Sequence, residues 1–310
     1  MPDEGIHAQP GRLPDFLVIG AMKSGSTTLW RHLDQHPRIF LCRPKEPQFF
    51  SREAVFARGF AWYRSLFATA RSDQLCGEAS TCYSRWPHFG DVPARLAEHL
   101  PAAKLVYILR HPVDRAYSHY GHVMTERAVR GTGPSLTFEQ ALEELPEILD
   151  TSLYLRQIER FLAHYDRESL HVLTLDDLQR DPETTLDAVH AFLGLEALPV
   201  DADSGSRTEN RADHRFARAS MGRTIRALRR HPVIGRLRGL LPVSMRREVV
   251  ARLRSPAVAV RLFERRFEAH RAGLSPLRPE TRRRLLARLA GPTRELEAFL
   301  GQRLPARWFE

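Results

Sequence analysis

Asp15-Phe16-Leu17-Val18-Ile19-Gly20-Ala21-Met22-Lys23-Ser24-Gly25-Ser26-Thr27-Thr28-Leu29-Trp30 decides the fold of this 310-residue chain. The apolar run Phe16 to Ile19, bounded by polar and turn residues, reads as a buried strand. Gly20 to Ser26 is small and polar, with one cation. A helical pattern starts at Thr27, with Leu29, Trp30 and Leu33 on one face and Pro37 beyond its end. A strand, a glycine-containing loop and a helix in this order let backbone N–H groups and a helix N-terminus cradle a phosphate. The loop is not a Walker A sequence, which has Lys after the last glycine; here Lys23 precedes Gly25. Gly20 and Gly25 alone would equally suit an ordinary tight turn between strand and helix. Lys23 favours a ligand: the chain has 44 Arg and only three Lys, at 23, 45 and 104. A compact ammonium that can follow a moving oxygen is chemically distinct from a planar guanidinium.

The clearest strand lies further on, at Lys104-Leu105-Val106-Tyr107-Ile108-Leu109-Arg110. Its continuous apolar run predicts a strand buried on both faces of a parallel sheet, and hence an α/β fold. His111-Pro112 opens a helix over about 113–129, with Arg115, Ser118 and His122 on one face. An arginine at a strand end can pair with a neighbouring carboxylate or grip a phosphate by forked, charge-assisted bonds. Between these motifs, His36 to Leu41 is a turn and a short strand, and Cys42 to Phe50 is an extended loop stiffened by Pro44 and Pro47. Lys45-Glu46 sits between those prolines, as a surface ion pair or as a carboxylate placed for general-base work. The aromatic stretch 53–70 reads as helical core and cleft wall. Glu78, in Cys76-Gly77-Glu78-Ala79-Ser80-Thr81-Cys82-Tyr83, either lines a cleft or caps a loop.

The order Lys23-Ser24-Gly25-Ser26-Thr27-Thr28 resembles the 5′-phosphosulfate loop of sulfotransferases that use 3′-phosphoadenosine 5′-phosphosulfate (PAPS). It looks most like the glycosaminoglycan (heparan sulfate type) branch and its bacterial relatives. Lys45-Glu46-Pro47-Gln48-Phe49-Phe50 resembles the segment that carries that branch's catalytic Glu. Ile108-Leu109-Arg110-His111-Pro112 through Arg115-Ala116-Tyr117-Ser118-His119-Tyr120 resembles its 3′-phosphate site. The chain departs from the pattern at Ser26 (often Thr), Gln48 (often His), Ala79 (Lys in several vertebrate members) and Thr81 (usually Pro). The resemblance covers about 14–210 and 274–308. It implies a P-loop-NTPase-like three-layer fold, with a central parallel sheet flanked by helices and an Arg-rich helical insertion. It implies Lys23 and Glu46 as catalytic residues, Glu46 as base and Lys23 at the leaving oxygen. Ser24, Gly25, Ser26, Thr27 and Thr28 would hold the 5′ end, Arg110 and Ser118 the 3′-phosphate, and Arg207, with Asn210 nearby, would close over the nucleotide. No metal is required. His111, His119 and His122 are alternative bases that more readily cap or pack.

The remaining sequence sets bounds. Residues 207–288 hold 23 Arg against 6 acids, a net +17, whereas 1–206 hold 21 Lys and Arg against 28 acids, a net −7. The basic block, 211–276, therefore expects an anionic partner or a solvated face: an acidic glycan, an anionic membrane surface or, less in keeping with the motifs, nucleic acid. Residues 1–13 read as a disordered leader without a signal-peptide core, and 14–310 as one domain. Three cysteines without zinc spacing suggest a reducing compartment, hence a cytoplasmic protein, peripheral at the inner membrane face if the basic block binds lipid. High Arg and Ala content points to a bacterial source. Two rivals stay open: a P-loop kinase or hydrolase with Asp176-Asp177 at a strand end holding Mg²⁺, and an anionic-surface binding protein driven by the Arg block.

Overall fold

The computed structural model describes residues 11–198 and 274–310. Arg207, Asn210 and most of the basic block 211–276 lie outside the described residues. Those that are described fall into two compact units. The first comprises 11–117, 145–198 and 278–310, and the second comprises 118–144 and 274–277.

The first unit carries five strands: β1 (Phe16–Gly20), β2 (Ile39–Leu41), β3 (Leu75–Ala79), β4 (Lys104–Leu109) and β5 (Leu170–Thr174). All neighbouring pairs are parallel, in the order β2-β3-β1-β4-β5. Helices α1 (Ser26–Leu33), α2 (Glu53–Phe56), α3 (Gly59–Ser65) and α4 (Val92–His99) connect the first four strands. After β4 come α5 (Pro112–Arg130), α6 (Phe138–Glu144), α7 (Glu147–Asp150) and α8 (Tyr154–Leu162). Beyond β5 lie α9 (Leu175–Arg180), α10 (Pro182–Leu193) and α11 (Pro279–Leu300). Helix α5 starts in the first unit, and its residues from Ser118 onward belong to the second. The expected α/β class and central parallel sheet are therefore present.

The sheet is the core. Phe16 to Ile19 of β1 and Leu105 to Leu109 of β4 are fully buried, as unbroken apolar runs in central parallel strands require. Asp15 ties the entry of β1 to β3: its N–H donates to Cys76 O at 2.8 Å, and its carboxylate accepts from Cys76 N at 2.7 Å. Of the leader, residues 11–13 are described, and there Arg12 donates to Gln74 O at 2.9 Å and pairs with Asp15. The segment 53–70 is two short helices, α2 and α3, whose Tyr63 is buried. Helix α10 ends as expected at Gly194, in the left-handed conformation at φ 81°. All three cysteines are free and buried.

Strand β3 is the element that the pattern of apolar residues does not announce. Its Gly77 pairs in register with Phe16, and the Phe16 ring occupies the space a side chain would need. A Cβ at Gly77 would lie 2.2 Å from Phe16 Cζ. Gly77→Ala is therefore expected to destabilise the fold by about 1–3 kcal/mol, the usual cost of overpacking a core. Chemical denaturation would measure it, and Phe16→Leu in the same chain should recover much of the loss.

In the second unit, Tyr120 packs on Phe138 with ring centroids 5.3 Å apart. Its hydroxyl donates to Leu136 O at 2.8 Å and accepts from Ser275 N at 3.2 Å.

Candidate active site

Because every strand is parallel, the loops after β1, β2, β3 and β4 leave the sheet at the same edge. The chain builds outward from β1 in both directions, to β3 and β2 on one side and β4 and β5 on the other. The crevice between the ends of β1 and β4 is thus a topological switch point, where open α/β sheets bind ligands.

The loop after β1 fills one side of that crevice. Gly25 caps α1 in the left-handed conformation at φ 92°, with no side-chain cap. The first N–H groups of α1, at Ser26, Thr27 and Thr28, thus remain available as donors on the positive end of the helix dipole. A side chain at Gly25 would be strained at φ 92°, and its Cβ would also have to displace Leu175 Cδ1, 2.6 Å away. Ser24 is fully buried, its hydroxyl lacking a hydrogen bond of ordinary geometry beside the Tyr154 phenol. Lys23, half-buried, takes a positive φ of 70°. For a residue with a Cβ this backbone costs about 1–2 kcal/mol, so a glycine would fit more cheaply and the lysine side chain is retained against strain.

Arg110 forms the other side. It follows the last residue of β4, and its Nη1 donates to Lys23 O at 3.3 Å. Residues 87 positions apart, singled out separately in the sequence, therefore meet. Tyr154 of α8 holds the Arg110 backbone by donating to its carbonyl at 2.6 Å. Tyr154 was not foreseen as a site residue; nothing near it in sequence marks it, because its partner lies 44 residues away. Ser118 stands on α5, half-buried, as the first residue of the second unit.

The Lys45-Glu46 loop leaves the same sheet edge two strands from β1. Lys45 Nζ pairs with Glu46 Oε1 at 3.1 Å, with the two side chains 9% and 21% exposed. Glu46 and Gln48 are at φ 63° and 60°, and with Lys23 they are the non-glycine residues with positive φ among the described ones. Two of those three are the expected catalytic pair. The backbone of Gln48 donates to Ser80 Oγ at 3.0 Å, and its side-chain oxygen accepts from Arg52 Nε.

Other candidates have structural duties. His111 is fully buried; its Nδ1 accepts from Val113 N at 3.2 Å and Asp114 N at 3.3 Å, so it caps α5, and burial lowers its pKa. His122 pairs with Glu126 at 3.6 Å along α5. His119 is buried. Arg115 is fully buried and bonds Ser152 Oγ at 2.7 Å and Ile148 O, tying α5 to α7 and the turn that follows it. Asp176 and Asp177 lie in the first turn of α9, not at the end of the strand. Asp176 accepts from Trp308 Nε1 at 3.2 Å and pairs with Arg307, and Asp177 pairs with Arg180 at 2.6 Å. Both carboxylates thus anchor neighbouring side chains, contrary to the use a Mg²⁺-dependent kinase would make of them.

Residues 13–219 match the family described as the sulfotransferase domain, and the chain belongs to that family. Among curated proteins it is 33% identical over 220 residues to the human bifunctional heparan sulfate N-deacetylase/N-sulfotransferase 3, covering 63% of this chain and 24% of the relative. It is 30% identical over 197 residues to human heparan sulfate glucosamine 3-O-sulfotransferase 3B1, covering 61% of this chain and 48% of the relative. The match therefore spans about a quarter to a half of these relatives. Among solved structures, a sulfotransferase from Alicyclobacillus acidocaldarius aligns with a TM-score of 0.53 at 30% identity, covering 66% of this chain and 90% of that one.

Proposed function

We propose that this chain transfers a sulfonyl group from PAPS to a hydroxyl or amine of a carbohydrate acceptor. The observation that carries the reading is the hydrogen bond from Arg110 to the Lys23 carbonyl. It joins a helix-terminus anion cradle and a strand-end guanidinium across one crevice, as one nucleotide with phosphates at both ends needs. The acceptor class rests on the heparan sulfate relatives.

The residues fit the donor. The amides of Ser26, Thr27 and Thr28 suit the 5′ end, with Ser24 and Gly25 shaping the turn. The guanidinium of Arg110 suits the 3′-phosphate, and Ser118 and Arg207 are the further donors the motif assigns. In the reaction, Glu46 takes the proton of the acceptor group as its oxygen or nitrogen bonds to sulfur. The bond from sulfur to the bridging oxygen breaks, and Lys23 meets the charge that builds on that oxygen. Adenosine 3′,5′-bisphosphate leaves. Cationic and backbone donors supply all the neutralisation this scheme asks for, without a metal. The Arg-rich block is the part we assign to the anionic acceptor or an anionic membrane surface, with the protein in the cytoplasm.

The test is transfer of label from ³⁵S-PAPS to heparosan-type and desulfated heparan acceptors, with calorimetry of adenosine 3′,5′-bisphosphate alongside. Labelled glycan and measurable heat are expected; no binding of the bisphosphate would overturn the reading. Arg110→Ala is expected to weaken bisphosphate binding by about 30- to 150-fold, from the loss of about 2–3 kcal/mol of charge-assisted bonding. The same calorimetric titration checks it.

A further inference from the structure

From the contacts around β3 we infer that Glu78 is a positioning residue for Glu46: it anchors the turn that presents that carboxylate and places a second carboxyl behind it. The inference rests on the sulfonyl-transfer reading above. Glu78 lies inside the sheet, opposite Leu17 of β1, and is fully buried. A carboxyl so placed costs stability, and an apolar side chain would ordinarily serve the fold better.

Its contacts lead to the Glu46 turn. Tyr63 Oη donates to Glu78 Oε2 at 2.6 Å, and the Tyr63 ring stacks on Phe49 with centroids 4.3 Å apart and planes 4° apart. Ser80, two residues beyond Glu78, accepts from Gln48 N at 3.0 Å. Tyr83 Oη accepts from Phe50 N at 3.3 Å. Gln48, Phe49 and Phe50 are thus all held by groups clustered around Glu78. Glu46 stands just ahead of them at φ 63°, a conformation that persists only where its surroundings fix it.

Electrostatics adds a second link. Burial raises the Glu78 carboxyl to about 7, the Tyr63, Tyr83 and Ser80 hydroxyls pull it down, and the charge of Glu46 raises it again. Repulsion is mutual, and the proton goes to the buried partner: below about pH 7 Glu78 is neutral beside a charged Glu46, and only above it do both carry charge. The other titratable groups facing Glu78 are Tyr63 from α3, Tyr83 and Cys82 after β3, and Cys42 after β2. Burial pushes all four upward, so they stay neutral near pH 7; Lys45, paired with Glu46, is the opposing cation.

The test is Glu78→Gln, which keeps the shape and the acceptor for Tyr63 but removes the charge. Expected are a kcat within about threefold of the parent for Glu78→Gln, a tenfold or greater loss of kcat for Glu78→Leu, which removes the acceptor as well, and an unchanged KM for PAPS in both. A ¹³C side-chain titration of Glu78, which needs no turnover, should show its midpoint fall in Glu46→Gln. Tyr63→Phe, which removes the donor that favours the charged carboxyl, should move that midpoint upward. The thermal midpoint of Glu78→Gln should not fall at pH 8. A carboxyl raised on folding contributes stability below its unfolded pKa that is lost as pH rises through about 7. A Glu78→Leu enzyme with the parent kcat, or a Glu78 titration that Glu46→Gln leaves unmoved, overturns the inference. A parent protein that transfers no sulfonyl group overturns the reaction instead, and the titration still decides the coupling.

Discussion

Lys23→Ala is expected to lower kcat for PAPS-dependent transfer by about 10²- to 10³-fold, the usual loss when one preorganised donor at a developing oxyanion is removed. Bisphosphate affinity should change much less, because the helix amides and Arg110 hold the anionic ends independently of the ammonium. Lys23→Arg should restore little, since a planar fork cannot occupy the space of a compact ammonium in a turn at φ 70°. Lys23→Gly separates chemistry from stability. It relieves a left-handed backbone at a Cβ-bearing residue, worth about 1 kcal/mol, so it should raise the thermal midpoint while removing turnover. Stopped assays with labelled PAPS, together with thermal melts, measure both. A Lys23→Ala protein with near-parent kcat would remove Lys23 from the leaving oxygen.

Glu46→Gln is expected to cut kcat by about 10²- to 10⁴-fold, the range for loss of a positioned general base. The amide is nearly isosteric, so the turn and the contacts of Gln48, Phe49 and Phe50 should persist, and bisphosphate binding with them. The effect should therefore fall on kcat and kcat/KM together, the signature of an interaction made in the transition state. Lys45, the ion-pair partner at 3.1 Å, would lose its carboxylate, and a small change in PAPS affinity is the most that should follow. Rate measurements over pH 6 to 9 test the assignment. A variant that keeps its rate would remove Glu46 from the base role.

The two halves of the proposed nucleotide site were legible in the sequence for a local reason. Each is a strand, a turn and a helix contiguous in the chain, and apolar runs, glycines and helix-start residues mark such units without long-range contacts. The ends of β1 and β4, the start of α1 and the Gly194 stop of α10 all stand where that grammar places them. Strand β3 was not legible, because Gly77 and Glu78 break its apolar pattern for reasons that lie on other elements. The ring of Phe16 fills the space beside Gly77, and Tyr63 donates to one oxygen of Glu78. The role of Arg115 was likewise hidden, since its burial depends on what the rest of the chain packs against it, whereas His111 caps α5 as the sequence reading allowed.

By itself, then, the sequence determined an α/β chain with a lysine turn after one strand, an arginine at the tip of another and a carboxylate held between two prolines. Only the tertiary structure decided that β1 and β4 are neighbours, so that the arginine reaches the lysine carbonyl at 3.3 Å. It also put Lys23 and Glu46 on strained backbone and buried Glu78 within the sheet. The physical reason is range. Strand order, burial and backbone strain come from contacts between residues tens of positions apart, and a linear pattern carries no record of them until the sheet has closed.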